Sequence, residues 1–208
     1  MEYIFIHGLG QNSTSWNETV SNIKNINKIL CPELFSLFKE KDKNYSNLYS
    51  SFIDYCNNIN GEINLCGLSL GGILALNYAI DFPEKVKSLV LIGTPYKVPP
   101  IIFGIQMIVF KFLPKSVFNK IGLNKKDFFK LGNSMRKLDF SKNLHKIVCS
   151  TLIICGKKDN MNIKSAYYLL KNINNANIKI IENTGHVINE DNPKVLAQEL
   201  EEFYNGYK

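Results

Sequence analysis

Only one arginine, Arg136, occurs in 208 residues. Lysine supplies the rest of the basic charge, so the formal net charge of +7 rests on scattered ammonium groups. Bidentate recognition of bases and phosphates calls for guanidinium forks, and no nucleic-acid-binding motif is present, so nucleic acid is not an expected partner. Cysteine is sparse and unpatterned: Cys31, Cys56, Cys66, Cys149 and Cys155 are odd in number and form no CxxC pair. They argue against a disulfide framework or a zinc site and read as buried thiols in a reducing compartment. Long apolar runs are also missing. The stretch from Ile101 to Phe110 falls well short of the roughly 20 residues a membrane span requires. The opening MEYIFIHG passes into a strand-like run without a basic n-region, a longer apolar h-region or a cleavage site, so a cytoplasmic location is expected. No internal repeat and no low-complexity linker interrupts the chain.

What is present is a globular composition, 45% apolar and 12% aromatic, enough for one domain over residues 1–208 with a substantial core. Apolar runs suited to buried strands recur at residues 3–8, 28–34, 62–67, 86–93, 148–156 and 177–183. Helical patterns fall between and after them at residues 14–26, 46–57, 71–81, 163–172 and 193–204, the last opened by Pro193 at a helix-start position. This alternation predicts an α/β fold, a parallel sheet with helices on both faces. Residues 95–145 break the rhythm with TPYKVPP, an apolar stretch and then lysine-rich helical sequence. They predict a helical cap of two or three helices over the strand ends, with Phe103, Met107 and Phe110 as candidate substrate-pocket residues.

The stretch INLCGLSLGG places Ser69 between Gly67 and Gly71, where a predicted strand meets a predicted helix. A serine held at so sharp a turn needs small flanking residues, because a side chain at either glycine would strike neighbouring backbone. The helix that follows directs free N–H groups and a positive dipole end at this point, which suits an anion forming on a bound carbonyl. A nucleophilic serine also needs a base. His186, in ENTGHVINEDNP, follows the last predicted strand and can reach the end of another, whereas His7 and His145 are less suitably placed. An acid must orient that histidine, and Asp159 in LIICGKKDN directly follows a strand; Glu182, Glu190 and Asp191 are weaker candidates. In IHGLGQNSTSW, glycines flank Leu9, so its N–H can turn inward beside that of Leu70 to form an oxyanion hole. His7 is expected to anchor this loop. The GLG here lacks the remainder of a phosphate-loop or dinucleotide fingerprint.

These residues carry a family likeness: through HGLGQNSTSW, GLSLGG, DFPEKVKSLVLIGTP, LHKIVCSTLIICGKKD and GHVINEDNPKVLAQELEEF the chain resembles the α/β-hydrolase superfamily over nearly its whole length. The order of serine, acid and histidine is that family's. The resemblance implies an α/β-hydrolase fold of short form, without the usual first strand pair, and about six parallel strands with residues 28–34 at an edge blunted by Lys28 and Pro32. It further implies a Ser69, Asp159, His186 triad with Leu9 and Leu70 as backbone oxyanion donors. The expected activity is a cofactor-free serine hydrolase acting on a small or medium carboxylic ester or thioester. Two alternatives stand beside it: a carbon-carbon bond hydrolase or lyase like the menaquinone-pathway relatives, and a non-catalytic ligand-binding relative. The sequence leaves the acyl chain, the leaving group and the oligomeric state undetermined.

Overall fold

The computed structural model describes residues 1–38, 42–98 and 110–206. Its elements are β1 (Glu2–Ile6), α1 (Asn17–Asn22), β2 (Ile29–Leu30), α2 (Tyr45–Asn57), β3 (Ile63–Leu68), α3 (Leu70–Asp81), β4 (Val86–Ile92), α4 (Lys115–Lys120), α5 (Lys125–Met135), β5 (Ser150–Gly156), α6 (Ile163–Asn172), β6 (Ala176–Ile181), α7 (Ile188–Asp191) and α8 (Pro193–Asn205), joined in places by short 3₁₀ turns. The six strands form one sheet in the order β2-β1-β3-β4-β5-β6, and every pairing is parallel. The chain first moves outward from β1 to β2 and then returns to build the other side from β3. The loops after β1 and β3 therefore diverge at a switch point, where α/β sheets leave a crevice for ligands.

The central strands are apolar on both faces because each face carries its own helical layer. Along β1, Ile4 and Ile6 join one buried cluster while Phe5 joins the other, and β4 divides Leu89 and Leu91 from Val90 and Ile92 in the same way. This period of two follows from the alternating direction of strand side chains. The larger cluster packs α2, α3 and α6 onto the sheet. The smaller one holds Trp16, edge-on to Phe5 at 5.2 Å between ring centres, under Leu196, Leu200 and Tyr204 of α8. Burying aliphatic side chains of this size contributes about 1.5–3 kcal/mol each.

Two elements are shorter than the sequence pattern suggests. The edge strand predicted over 28–34 spans only Ile29–Leu30, since Pro32 has no N–H to pair and a 3₁₀ turn begins at Leu34. The helix predicted over 14–26 is a 3₁₀ turn, Ser13–Trp16, followed by α1, which ends before an extended Ile23. Glu201 of α8 accepts hydrogen bonds from the Lys24 and Asn25 N–H groups at 2.7 and 2.9 Å, holding that segment out of a helix.

Within residues 95–145 the described part holds α4 and α5. The two ends of this insertion meet at its base. Val98 N–H donates to the Leu138 carbonyl at 3.0 Å and Phe140 N–H to that of Tyr96 at 2.9 Å. Lys97 and Asp139 form an antiparallel bridge and an ion pair at 2.9 Å. Phe103 and Met107 lie outside the described residues.

Candidate active site

Ser69 is the single residue between β3 and α3, and its backbone is left-handed, at φ 53° and ψ −111°. A non-glycine residue there costs on the order of 1–3 kcal/mol, and the surroundings hold it in place. Its N–H donates to the Ile92 carbonyl and its carbonyl accepts from Ile73 N–H, both at 2.9 Å. The glycine requirement read from the sequence has a concrete cause. A methyl group on Gly67 would collide with the Gly71 backbone, and one on Gly71 with the Ile6 carbonyl. Helix α3 thus sits directly against β1 and β3, buried along nearly all its length, with its N-terminus at the serine.

The ends of β5 and β6 supply the other two predicted residues. His186 Nδ1 lies 2.6 Å from Asp159 Oδ2, and Asp159 is only 5% exposed. Burial is the largest influence on this carboxyl and pushes its pKa upward. The hydrogen bond and charge of His186, with the donors of Asn162, outweigh it and hold the group below the usual aspartate value. Gly93, at the end of β4 with φ +52°, leaves the space in which this pair meets, since a methyl there would stand 2.9 Å from His186 Nδ1. Of the other acids considered from sequence, Glu182 pairs with Lys157 on the surface at 2.7 Å, while Glu190 borders the same cavity as His186 but is engaged by Gln11, from which it accepts at 2.8 Å.

Ser69, Asp159 and His186 line one cavity of about 780 Å³, together with Leu9 and Leu70. This is within the size range of small-molecule sites. Its wall is mainly apolar and includes Ile73, Val98, Phe110 and Met135. Tyr96 and Tyr168, stacked with ring centres 3.9 Å apart, also line it. Of the three candidate cap residues, Phe110 is the one described, and it borders this cavity. Among the described residues, neither Leu9 N–H nor Leu70 N–H has a protein acceptor.

The loop bearing Leu9 is fixed from two sides. His7 is fully buried; its Nδ1 lies 3.0 Å from the Gly8 carbonyl, and its Nε2 lies 3.1 Å from both Glu33 Oε1 and Leu34 N. Gln11 accepts from Gly8 N–H at 3.1 Å and donates to Asn189 and Glu190, tying the loop to α7. Sequence reasoning missed Gln11, Asn189 and Asn162; the only signal was the amide-rich character of their segments. The thiols nearby are poor nucleophiles, because burial pushes Cys155 up to about 12 and Cys66 well above its ordinary value.

The sheet order, the buried central helix and the strained serine at its N-terminus are together those of the α/β-hydrolase fold. Solved structures agree on the fold: MenH from S. aureus superposes with a TM-score of 0.82 at 16% identity, covering 99% of this chain and 94% of that one. A thermophilic esterase from Thermogutta terrifontis superposes with a TM-score of 0.79 at 18% identity, covering 99% and 90%. The sequence profile of the Alpha/beta hydrolase family matches residues 3–199, and the chain belongs to that family. Among curated relatives, the pimeloyl-[acyl-carrier protein] methyl ester esterase of Wigglesworthia glossinidia brevipalpis is 36% identical over 92 residues, 44% of this chain and 35% of that protein. Monoacylglycerol lipase ABHD6 of Mus musculus is 24% identical over 161 residues, 67% of this chain and 48% of that protein. The matches thus span about a third to a half of the length of these two relatives. No helix among the described residues is long and apolar enough to cross a membrane.

Proposed function

We propose that the chain is a serine hydrolase cleaving a small or medium carboxylic ester or thioester through an acyl-enzyme on Ser69. The observation that carries this reading is the convergence of a strained turn serine and a 2.6 Å histidine–aspartate pair on one largely apolar cavity. In this mechanism His186 Nε2 takes the proton from Ser69 Oγ as the oxygen attacks the carbonyl carbon. Asp159 holds the ring by its Nδ1–H and stabilises the imidazolium. The N–H groups of Leu9 and Leu70 receive the oxyanion, a contribution on the order of 3 kcal/mol for each donor. Collapse of the tetrahedral intermediate breaks the bond to the alcohol or thiol, which takes the proton from His186. A water deprotonated by the same histidine then releases the acid and restores Ser69.

The insertion serves as the cap, with Val98, Phe110 and Met135 offering an apolar surface to the acyl group. The esterase and lipase names of the curated relatives favour ester chemistry. Among the described residues Lys97 and Lys164 line the cavity but Arg136 does not, so no guanidinium fork stands there for bidentate capture of a poly-carboxylate. The test is labelling by a fluorophosphonate probe and hydrolysis of short- and medium-chain p-nitrophenyl esters by wild type, Ser69→Ala and His186→Ala. Wild type should label and turn over, and both variants should lose about 10⁴-fold or more in kcat. An unlabelled, inactive wild type refutes the assignment.

A further inference from the structure

Asn162 occupies the N-cap of α6, at φ −108° and ψ −10°, yet its side chain makes no capping bond. Asparagine in that position ordinarily accepts from an N–H of the first helical turn. Here the amide points the other way. Asn162 Nδ2 lies 3.0 Å from each oxygen of Asp159 and 3.2 Å from His186 Nδ1, and the Asn162 main-chain N–H donates to Asp159 Oδ1 at 3.2 Å. Since His186 Nδ1–H donates to Asp159 Oδ2, the short Nδ2 to Nδ1 approach is that of two donors converging on one carboxylate oxygen. Asn162 is itself buried, 9% exposed, and borders the cavity. A side chain that forgoes its local partner for a buried charge marks a constraint set by the site rather than by the helix.

We infer that Asn162 is a positioning residue for the Asp159–His186 pair; its effect on turnover rests on the reading of Ser69 as nucleophile and His186 as base. Its amide and main-chain N–H fix the carboxylate so that Oδ2 faces the imidazole. Removing the amide leaves only the main-chain N–H on Oδ1 and frees Oδ2 to turn away from the ring. Among the described residues, Glu190, Lys97, Lys164, Tyr96 and Tyr168 also line the cavity and the Cys155 thiol lies near Asp159. They are common to wild type and variant and cancel in the comparison.

The experiment compares wild type, Asn162→Ala and Asn162→Gln in pH–rate profiles for a p-nitrophenyl ester, alongside proton NMR of the hydrogen-bonded His186 Nδ1–H. Asn162→Ala should lose about tenfold in kcat with KM within about twofold, as expected for a misplaced reacting group. Its Nδ1–H resonance should shift or broaden. Asn162→Gln, which keeps the amide, should recover part of each change. An Asn162→Ala protein with the wild-type profile and resonance overturns the assignment. A shifted resonance in a protein whose wild type neither labels with fluorophosphonate nor turns over ester upholds the positioning role and overturns the serine-hydrolase reading instead.

Discussion

Replacing Gly93 by alanine asks how tightly the site is built. The new methyl group would stand 2.9 Å from His186 Nδ1, 3.0 Å from its Cε1 and 3.3 Å from Asp159 Oδ2. Ordinary carbon contacts begin near 3.5 Å, so the imidazole must retreat by about half an ångström. Two costs follow. Alanine at φ +52° loses roughly 1–2 kcal/mol relative to glycine, and crowding a packed site adds roughly 1–3 kcal/mol. In a chain of this length a loss of that size lowers Tm by about 5–15 °C. A displacement of about 1 Å in a reacting group costs around 100-fold, so half of that should lower kcat about tenfold with little change in KM. Gly61→Ala is the control, because its φ of +75° brings the same backbone strain with nothing within 4 Å of the added methyl. It should lose only the first cost and keep wild-type kcat. Scanning calorimetry and ester hydrolysis well below both melting points measure the pair. If Gly93→Ala retains wild-type kcat, or Gly61→Ala loses as much activity, the reasoning from contact distances is refuted.

Asp159 makes stability depend on pH in a defined direction. Its folded pKa lies below the ordinary value, through the His186 bond and the Asn162 donors acting against burial. The contribution is therefore present above about pH 3.9, the unfolded value, and is lost as pH falls through the folded one. The Tm advantage of wild type over Asp159→Asn should narrow below pH 4 and stay level toward neutrality; a gap that widens on acidification contradicts this. Gln11→Leu removes the acceptor for Gly8 N–H and the donor to Asn189 and Glu190. It should destabilise by about 1–3 kcal/mol in urea titration and lower kcat more than it raises KM, whereas unchanged turnover would show that the Leu9 loop holds its shape without this tie.

The strand, serine and helix from Ile63 to Asp81 were legible because their hydrophobic period, their glycines and the chemistry of the turn all require the same geometry. The parallel sheet with helices on both faces followed from the alternation of strand and helix patterns, whereas the order of its strands came only from the structure. Failures arose where a distant residue decides the local outcome. The 14–26 pattern is cut short by Glu201, which is far away in the chain. Asn162 could not be told from Asn160 in KKDNMN by any local rule, and only the approach of His186 distinguishes them. Gly93 reads from sequence as an ordinary strand end, and its role emerges only when the imidazole is placed beside it.

The paired ends of the insertion bear on how this protein can be altered. Because Val98 meets Leu138 and Tyr96 meets Phe140, the chain leaves the sheet side and returns to it at one clasp. The described part between them is nonetheless built into the main core, since Phe118, Phe128, Leu131 and Met135 are buried in it and Tyr45 N–H of α2 donates to Ser134 Oγ at 2.8 Å. A piece grafted between Val98 and Leu138 must therefore supply apolar side chains that refill that core, or leave a cavity against α2.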